Sequence, residues 1–409
     1  MKNSGLVQVF FFLLHLSGGV AWCATPRHAP SVLTLPSSTE RKHSSGSKMA
    51  PQPVFRAAGL VLFSVLLTVL LGLGLPALLN ALMRLLGLPE SSVTECVVLV
   101  YAGFVLFVAT PRIPRGLEQV SGRAVFITGC DSGFGHALAK HLHSLGFTVF
   151  AGCFLKDQGG EGAKELEEFH SDRMKLVQLD VCSEEQVNQA VEFIKENLED
   201  SERGLWAVVN NAGKSTFGEV EFTSMDTFKE VSEVNLWGTI RVTKAVLPLI
   251  RRAKGRVVNM ASLYGRMGNV NRSAYCVSKY GLEAFSDCLR YEMKTWGVKV
   301  SIVEPGNFIA ATGILTRDIV ASTASKLWSE APSIVKEDYG KAHLEQHVAL
   351  MRSFCSSGSK SMAPVLDDIT DAIMSKHPYA RYCPSEPHWW IRLQLMTHLP
   401  TALSDLLYF

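Results

Sequence analysis

Ala124-Val-Phe-Ile-Thr128-Gly129-Cys-Asp131-Ser132-Gly133-Phe134-Gly135-His-Ala-Leu-Ala-Lys-His-Leu-His-Ser-Leu145 is the stretch that decides the fold. A short apolar run enters a turn containing three glycines and leaves it at helical period. Such a strand, turn and helix bring backbone N–H groups and the positive end of a helix to one point, which suits a pyrophosphate. The spacing is Gly-x-x-x-Gly-x-Gly, where the commoner cradle reads Gly-x-Gly-x-x-Gly.

Working outward, the alternation continues. Residues 148–151, 176–179, 207–209, 256–259 and 299–303 read as short buried strands, with helical period between them, as at 184–197 and 225–249. Strands alternating with helices predict a doubly wound parallel sheet. Near the fifth strand lies Asn259-Met-Ala-Ser262, and thirteen residues after Ser262 comes Tyr275-Cys-Val-Ser-Lys279. Four-residue spacing puts Tyr275 and Lys279 on one helix face, so the ammonium is expected to favour the ionised phenol. Ser262, from a strand end, completes a pocket for a carbinol or carbonyl oxygen.

Thr128-Gly-x-x-x-Gly-x-Gly135, Asn210-Asn211-Ala212-Gly213, Ser262, Tyr275-x-x-x-Lys279 and Pro305-Gly306 together resemble the short-chain dehydrogenase/reductase family, in order and spacing, over about residues 121–320. The resemblance implies a Rossmann-type α/β sheet. It makes Tyr275 the acid/base, Lys279 the group that lowers its pKa and holds the nicotinamide ribose, and Ser262 the partner of the substrate oxygen. Asn235 matches an asparagine that positions a water against the lysine. Thr128, Gly129, Asp131, Ser132, Gly133, Phe134, Gly135, Cys153, Asp180, Val181, Asn211, Ala212, Gly213, Pro305 and Gly306 join Tyr275 and Lys279 in the implied cofactor site, Asp180 at the adenine and 211–213 under its ribose. Cys153 holds the second-strand position where NAD-dependent members usually carry an acid. No cation stands there or before Gly133 to pair a 2′-phosphate, so NAD is the expected cofactor.

Within that family the glycine-rich run resembles the branch holding 3-hydroxybutyrate, retinol and 11β-hydroxysteroid dehydrogenases. Arg272, three residues before Tyr275, suits bidentate binding of a carboxylate. Bacterial members acting on 3-hydroxybutyrate carry a substrate-binding lysine in a similar run, whereas steroid and retinol members carry apolar or small residues. The expected substrate is therefore a short hydroxy acid, (R)-3-hydroxybutyrate, bound by Ser262 and Arg272. A membrane-bound steroid or retinol dehydrogenase is the alternative.

A chain of 409 residues has room for one α/β domain of about 250 residues and more besides. A formal charge of +2 offers no field for nucleic acid. The nine cysteines lack regular spacing, which argues for reduced thiols and against a disulfide framework or zinc site; no metal is expected. Residues 1–56 read as a targeting segment, with signal-peptide and transit-peptide features and a second Met at position 49. Residues 57–83 carry no charge over 27 positions, enough to cross a bilayer core of about 30 Å, and 96–110 add 15 more. Arginines outside this pair suggest a hairpin with the catalytic domain on the matrix or cytosolic side. The expected layout is thus targeting at 1–56, membrane segments at 57–110, linker at 111–120, catalytic domain at 121–320, and lid with carboxy-terminal helical extension at 321–409, the lid itself at 315–341. The inner mitochondrial membrane is the expected address, the endoplasmic reticulum the alternative. Expected partners are the hydroxy acid, membrane phospholipid and further copies of the chain, as a dimer or tetramer. The tail at 388–399 suits packing on a partner subunit or contact with a membrane surface.

Overall fold

In chain order the strands are β1 (Ala124–Thr128), β2 (Thr148–Cys153), β3 (Met174–Gln178), β4 (Ala207–Asn210), β5 (Arg256–Met260), β6 (Lys299–Val303) and β7 (Arg381–Tyr382). The computed structural model describes residues 74–87, 116–199 and 204–408. It pairs these strands, all parallel, in the order β3-β2-β1-β4-β5-β6-β7. Every residue of β1, β2, β4 and β5 is buried, because helices cover both faces of the sheet.

The amino-terminal unit is described only by α1 (Leu75–Leu85), eleven residues long. At 1.5 Å per residue that is roughly 16 Å. Among the described residues no helix is long and apolar enough to cross a membrane. The expected spans at 57–83, apart from 74–83, and at 96–110 lie outside the described residues, as do the segment 1–56 and the linker at 111–115.

The catalytic unit contains α2 (Gly133–Ser144), α3 (Glu161–Glu167), α4 (Glu184–Asn197), α5 (Met225–Ser232), α6 (Thr239–Ala253) and α7 (Ser273–Met293). Beyond β6 come α8 (Ile309–Thr312), α9 (Arg317–Glu330), α10 (Ser333–Phe354), α11 (Ala363–Met374), α12 (Pro387–His398) and α13 (Thr401–Tyr408). Alternate residues of β1 serve opposite cores. Val125 and Ile127 meet Leu138 and Leu142 of α2 and Ile369 of α11, whereas Phe126 meets Ile194 of α4 and Val246 of α6.

Two expectations change. Residues 225–249 read as one helix, yet α5 and α6 are joined by a π-helical segment, Glu233–Gly238, that contains Asn235. A Cβ at Gly238 would come within 2.7 Å of Val181, so that segment is pressed against the loop after β3. The segment expected as a lid at 315–341 is helical and longer: α9 and α10 reach Phe354 and bury Leu327, Val335, Leu344 and Val348 against Phe217 and Phe222. All seven described cysteines are free thiols.

Candidate active site

The carboxyl ends of the strands open into one cavity of about 960 Å³, the place where open α/β sheets bind ligands. At one end lies the glycine-rich turn. Gly129 and Gly133 sit at φ +70° and +58°, in the left-handed region that admits glycine without strain. A Cβ on Gly129 would lie 2.8 Å from Ala212 Cα, and one on Gly135 2.2 Å from Gly129 O, so neither position has room for a side chain. Ser132 precedes α2 in an extended conformation without a capping hydrogen bond, and no acid occupies the first turn. The N–H groups at that helix start thus have no side-chain acceptor and fit a pyrophosphate.

The expected cofactor residues divide by geometry. Gly129, Asp131, Ser132, Gly133, Phe134, Asp180, Val181, Asn211, Ala212, Gly213, Pro305 and Gly306 line the cavity; Thr128, Gly135 and Cys153 do not. Thr128 supports the wall, its Oγ1 accepting from the backbone N–H groups of Asn211 and Ala212 at 3.1 and 3.0 Å. Asn211 returns two bonds through Nδ2, to Thr128 O and Gly129 O, both at 3.0 Å. Cys153 is fully buried, and burial pushes its thiol up to about 12. It therefore fills the core behind the site. Asp131 instead reaches the end of β2, its carboxylate accepting from the N–H groups of Phe154 and Leu155, each at 2.8 Å.

At the other end α7 presents Tyr275 and Lys279 on one face, and Ser262, after β5, hydrogen-bonds the phenol. Burial raises Tyr275 to about 12, with Ser262 and the Arg272 guanidinium acting in the opposite sense. The net shift is upward, against the expected lowering, because burial outweighs the groups that favour the phenolate. The Lys279 ammonium donates to Met260 O at 2.7 Å and stands 5.8 Å from the Tyr275 ring centre. Burial brings Lys279 itself down to about 8, against the opposing charge of Glu283.

Asn235, fully buried in the π-helical segment, accepts from Lys214 N–H at 2.8 Å and donates to Lys214 O and Ser278 Oγ at 3.0 and 2.9 Å. Its amide thus ties the loop after β4 to α7; π-helical turns of this kind frequently mark functional positions.

Arg272, at the start of α7, is 7 % exposed. Its Nη1 donates to Ser215 Oγ and Thr216 O at 3.1 and 2.9 Å, and desolvation lowers its pKa. No carboxylate pairs with it among the described residues, and it lines the cavity beside Ser262 and Tyr275.

Sequence reasoning missed part of this wall. Tyr264 stands edge-on to Tyr275 at 6.5 Å, and Trp389 and Arg392 of α12 also line the cavity. The tail expected to meet a partner or a membrane packs on its own chain: Leu393 is buried, with Trp389, Trp390 and Met396, against Leu263 and Met267. Tyr408 extends this contact, its hydroxyl donating to Asn269 Oδ1 at 2.5 Å and accepting from Val270 N–H at 3.0 Å. Only the position of Tyr264, two residues after Ser262, carried a sequence hint.

A parallel sheet of this order, with a dinucleotide cradle at one end of its cavity and a serine, tyrosine and lysine at the other, defines a Rossmann-type oxidoreductase. The chain belongs to the short-chain dehydrogenase family, whose model matches residues 123–317. It is 57% identical over 314 residues to the mitochondrial D-beta-hydroxybutyrate dehydrogenase of Bos taurus, covering 75% of this chain and 91% of that protein. Retinol dehydrogenase 7 of Rattus norvegicus is 41% identical over 295 residues, 72% of this chain and 90% of the relative. The fold matches a short chain dehydrogenase/reductase of Burkholderia phymatum in complex with NAD, at TM-score 0.56 and 20% identity, over 68% of this chain and 94% of that one.

Proposed function

We propose that the enzyme interconverts (R)-3-hydroxybutyrate and acetoacetate with NAD. The observation that carries this reading is Arg272, a buried cation without a carboxylate partner among the described residues, in the same cavity as Tyr275. A short hydroxy acid brings the missing carboxylate to the guanidinium and its carbinol to Ser262 and Tyr275. The high identity to D-beta-hydroxybutyrate dehydrogenases supports the same substrate. NAD is favoured because the charged groups lining the adenosine end are the acids Asp131 and Asp180, which disfavour a 2′-phosphate.

In this reading the dinucleotide supplies the hydride acceptor, and the remaining work falls to the chain. Ser262 holds the carbinol oxygen while Tyr275 Oη, deprotonated, takes its proton as the carbonyl forms. In reduction the protonated phenol returns that proton. Lys279 orients the ribose and stabilises the phenolate; Asn235 holds the surrounding loop. A retinol or steroid dehydrogenase remains the competing reading, drawing on the 960 Å³ cavity. NADH formation from 3-hydroxybutyrate, a steroid and a retinol, measured side by side, tests the assignment: a preference for the uncharged alcohols overturns it.

The phenol at about 12 sets the pH dependence. Below that value the phenolate fraction rises about tenfold per pH unit. Hydroxybutyrate oxidation is expected to climb between about pH 6 and about pH 8, then level where Lys279, at about 8, loses its charge. Acetoacetate reduction, which uses the protonated phenol, is expected to stay flat or fall over the same range. Profiles of kcat/KM in both directions check this, and oxidation that declines above neutrality would contradict it.

We infer a membrane-bound enzyme of the inner mitochondrial membrane with its catalytic domain in the matrix, acting as a homo-oligomer. The uncharged run at 57–83 and the exposed Leu78, Leu79, Leu82 and Leu85 of α1 support membrane attachment. Removing residues 1–110 is expected to release the catalytic domain into the soluble fraction. A truncated protein that still pellets with membranes after a high-salt wash would make the carboxy-terminal tail the stronger anchor.

A further inference from the structure

On α10, away from the residues assigned to catalysis, His343-Leu-Glu-Gln-His347 places two imidazoles on one helix face. Glu219, in the loop that follows β4, reaches them from outside the helix. Its Oε2 stands 2.8 Å from His343 Nε2 and 3.4 Å from His347 Nδ1, and the donor atoms of all three residues lie within 4.8 Å of one another. We propose that Glu219, His343 and His347 form a binding site for a divalent metal ion of the zinc class, which fastens α10 to the loop after β4.

The histidine–glutamate contact at 2.8 Å is a sufficient hydrogen bond for His343, and by itself it calls for no metal. His347 is different. Its Nδ1 is buried and has no hydrogen-bond partner, although it lies beside the same carboxylate oxygen. A metal ion gives that nitrogen a partner, and it replaces the His343–Glu219 hydrogen bond with bonds from both groups to the ion. Tetrahedral coordination at metal–nitrogen distances of about 2.0–2.1 Å sets neighbouring donors about 3.3–3.4 Å apart; His347 Nδ1 already stands 3.4 Å from Glu219 Oε2, and His343 Nε2, at 2.8 Å, has to draw back by about half an ångström. Two neutral imidazoles and one carboxylate suit zinc and its neighbours, whereas calcium and magnesium prefer oxygen ligands.

The surroundings favour binding too. Phe222, almost fully buried, stacks at 6.4 Å from the His343 ring, and Tyr339 packs against both rings, at 4.9 Å from His343 and 5.3 Å from Phe222. The three side chains remain a quarter to a third exposed, so an ion can reach the site from solvent. Gly340, at φ +71°, breaks α10 just before the histidine pair and starts a separate arm. That arm ends with Met351 and Phe354 in the cavity wall. On the other side, Gly218 N–H donates to Asn271 O at 2.9 Å, next to Arg272. A metal held by Glu219 therefore joins the two segments that enclose the reacting end of the cavity. Cysteine spacing gave no sign of this site, because it contains no cysteine.

The test uses the full-length protein in detergent after treatment with a chelator. Zinc chloride titrated by calorimetry is expected to bind at one site per chain, and to raise the unfolding temperature. His343→Gln and His347→Gln should each weaken binding by about tenfold or more and lose the thermal response. The absence of zinc binding, or binding by both variants as tight as that of the unaltered protein, would overturn the proposal. Should either variant fail to fold, cobalt(II) bound to the unaltered protein decides: a tetrahedral spectrum without thiolate charge transfer is expected, and a thiolate band or an octahedral spectrum refutes the site. None of these readouts depends on which alcohol the enzyme oxidises.

Discussion

Tyr275→Phe is expected to lower kcat for hydroxybutyrate oxidation by about two to four orders of magnitude while leaving NAD binding nearly intact. The substitution removes one oxygen atom and keeps the ring, so the edge contact with Tyr264 at 6.5 Å survives. In the proposed mechanism, what disappears is the group that exchanges a proton with the carbinol. Ser262 still hydrogen-bonds the substrate oxygen, but its hydroxyl is a weak base, and Lys279 is held by Met260 O at 2.7 Å. The dinucleotide site loses little, because the cradle at Gly129 to Gly135 and the loop at Asn211 to Gly213 are untouched. Steady-state rates give the first half of the prediction and NADH fluorescence titration the second. Activity within a few fold of the unaltered enzyme would remove Tyr275 from the acid/base role.

The placement of that tyrosine beside Lys279 was legible from spacing; its electrostatics were not. Four residues on a helix fix which face a side chain occupies, so Tyr275 and Lys279 could be paired from sequence. The pKa of each depends on what covers it, and burial moves both against the direction that ionises the phenol. The partner that holds the Lys279 ammonium, Met260 O, comes from the end of β5, and no local pattern encodes that contact.

The sheet itself was readable because fully buried parallel strands leave short uninterrupted apolar runs, as Ala124–Thr128 does. Asn235 shows where such reading stops. Helical period runs through it on both sides, yet the backbone there is π-helical. Its amide is satisfied by Lys214 and Ser278, which lie 21 and 43 residues away in sequence. The carboxy-terminal wall was equally hidden: Trp389 and Arg392 reach the cavity through packing on Leu263 and Met267, a contact that amphipathic pattern alone leaves open between subunit, membrane and self. Cys153 was assigned to the cofactor from its place at the end of β2. Its side chain faces the core, and Asp131 holds the neighbouring N–H groups.

Arg272→Leu is expected to cost roughly 2–4 kcal/mol in kcat/KM for 3-hydroxybutyrate, because it removes a charge-assisted pair from a largely desolvated pocket. The same side chain also ties down its own neighbourhood, through Ser215 Oγ at 3.1 Å and Thr216 O at 2.9 Å. A loss of activity by itself therefore leaves two explanations open. They separate when an uncharged secondary alcohol is assayed beside the hydroxy acid. A loosened loop misplaces Ser262 and Tyr275 for every substrate, whereas a lost guanidinium penalises only the one that carries a carboxylate. The expected outcome is a steep fall for hydroxybutyrate with unchanged or improved turnover of the neutral alcohol. Arg272→Lys sharpens the contrast, since it keeps the charge and loses the planar fork, and should recover part of the hydroxybutyrate rate. Equal losses on both substrates would make Arg272 a brace for the loop and move the retinol or steroid reading ahead.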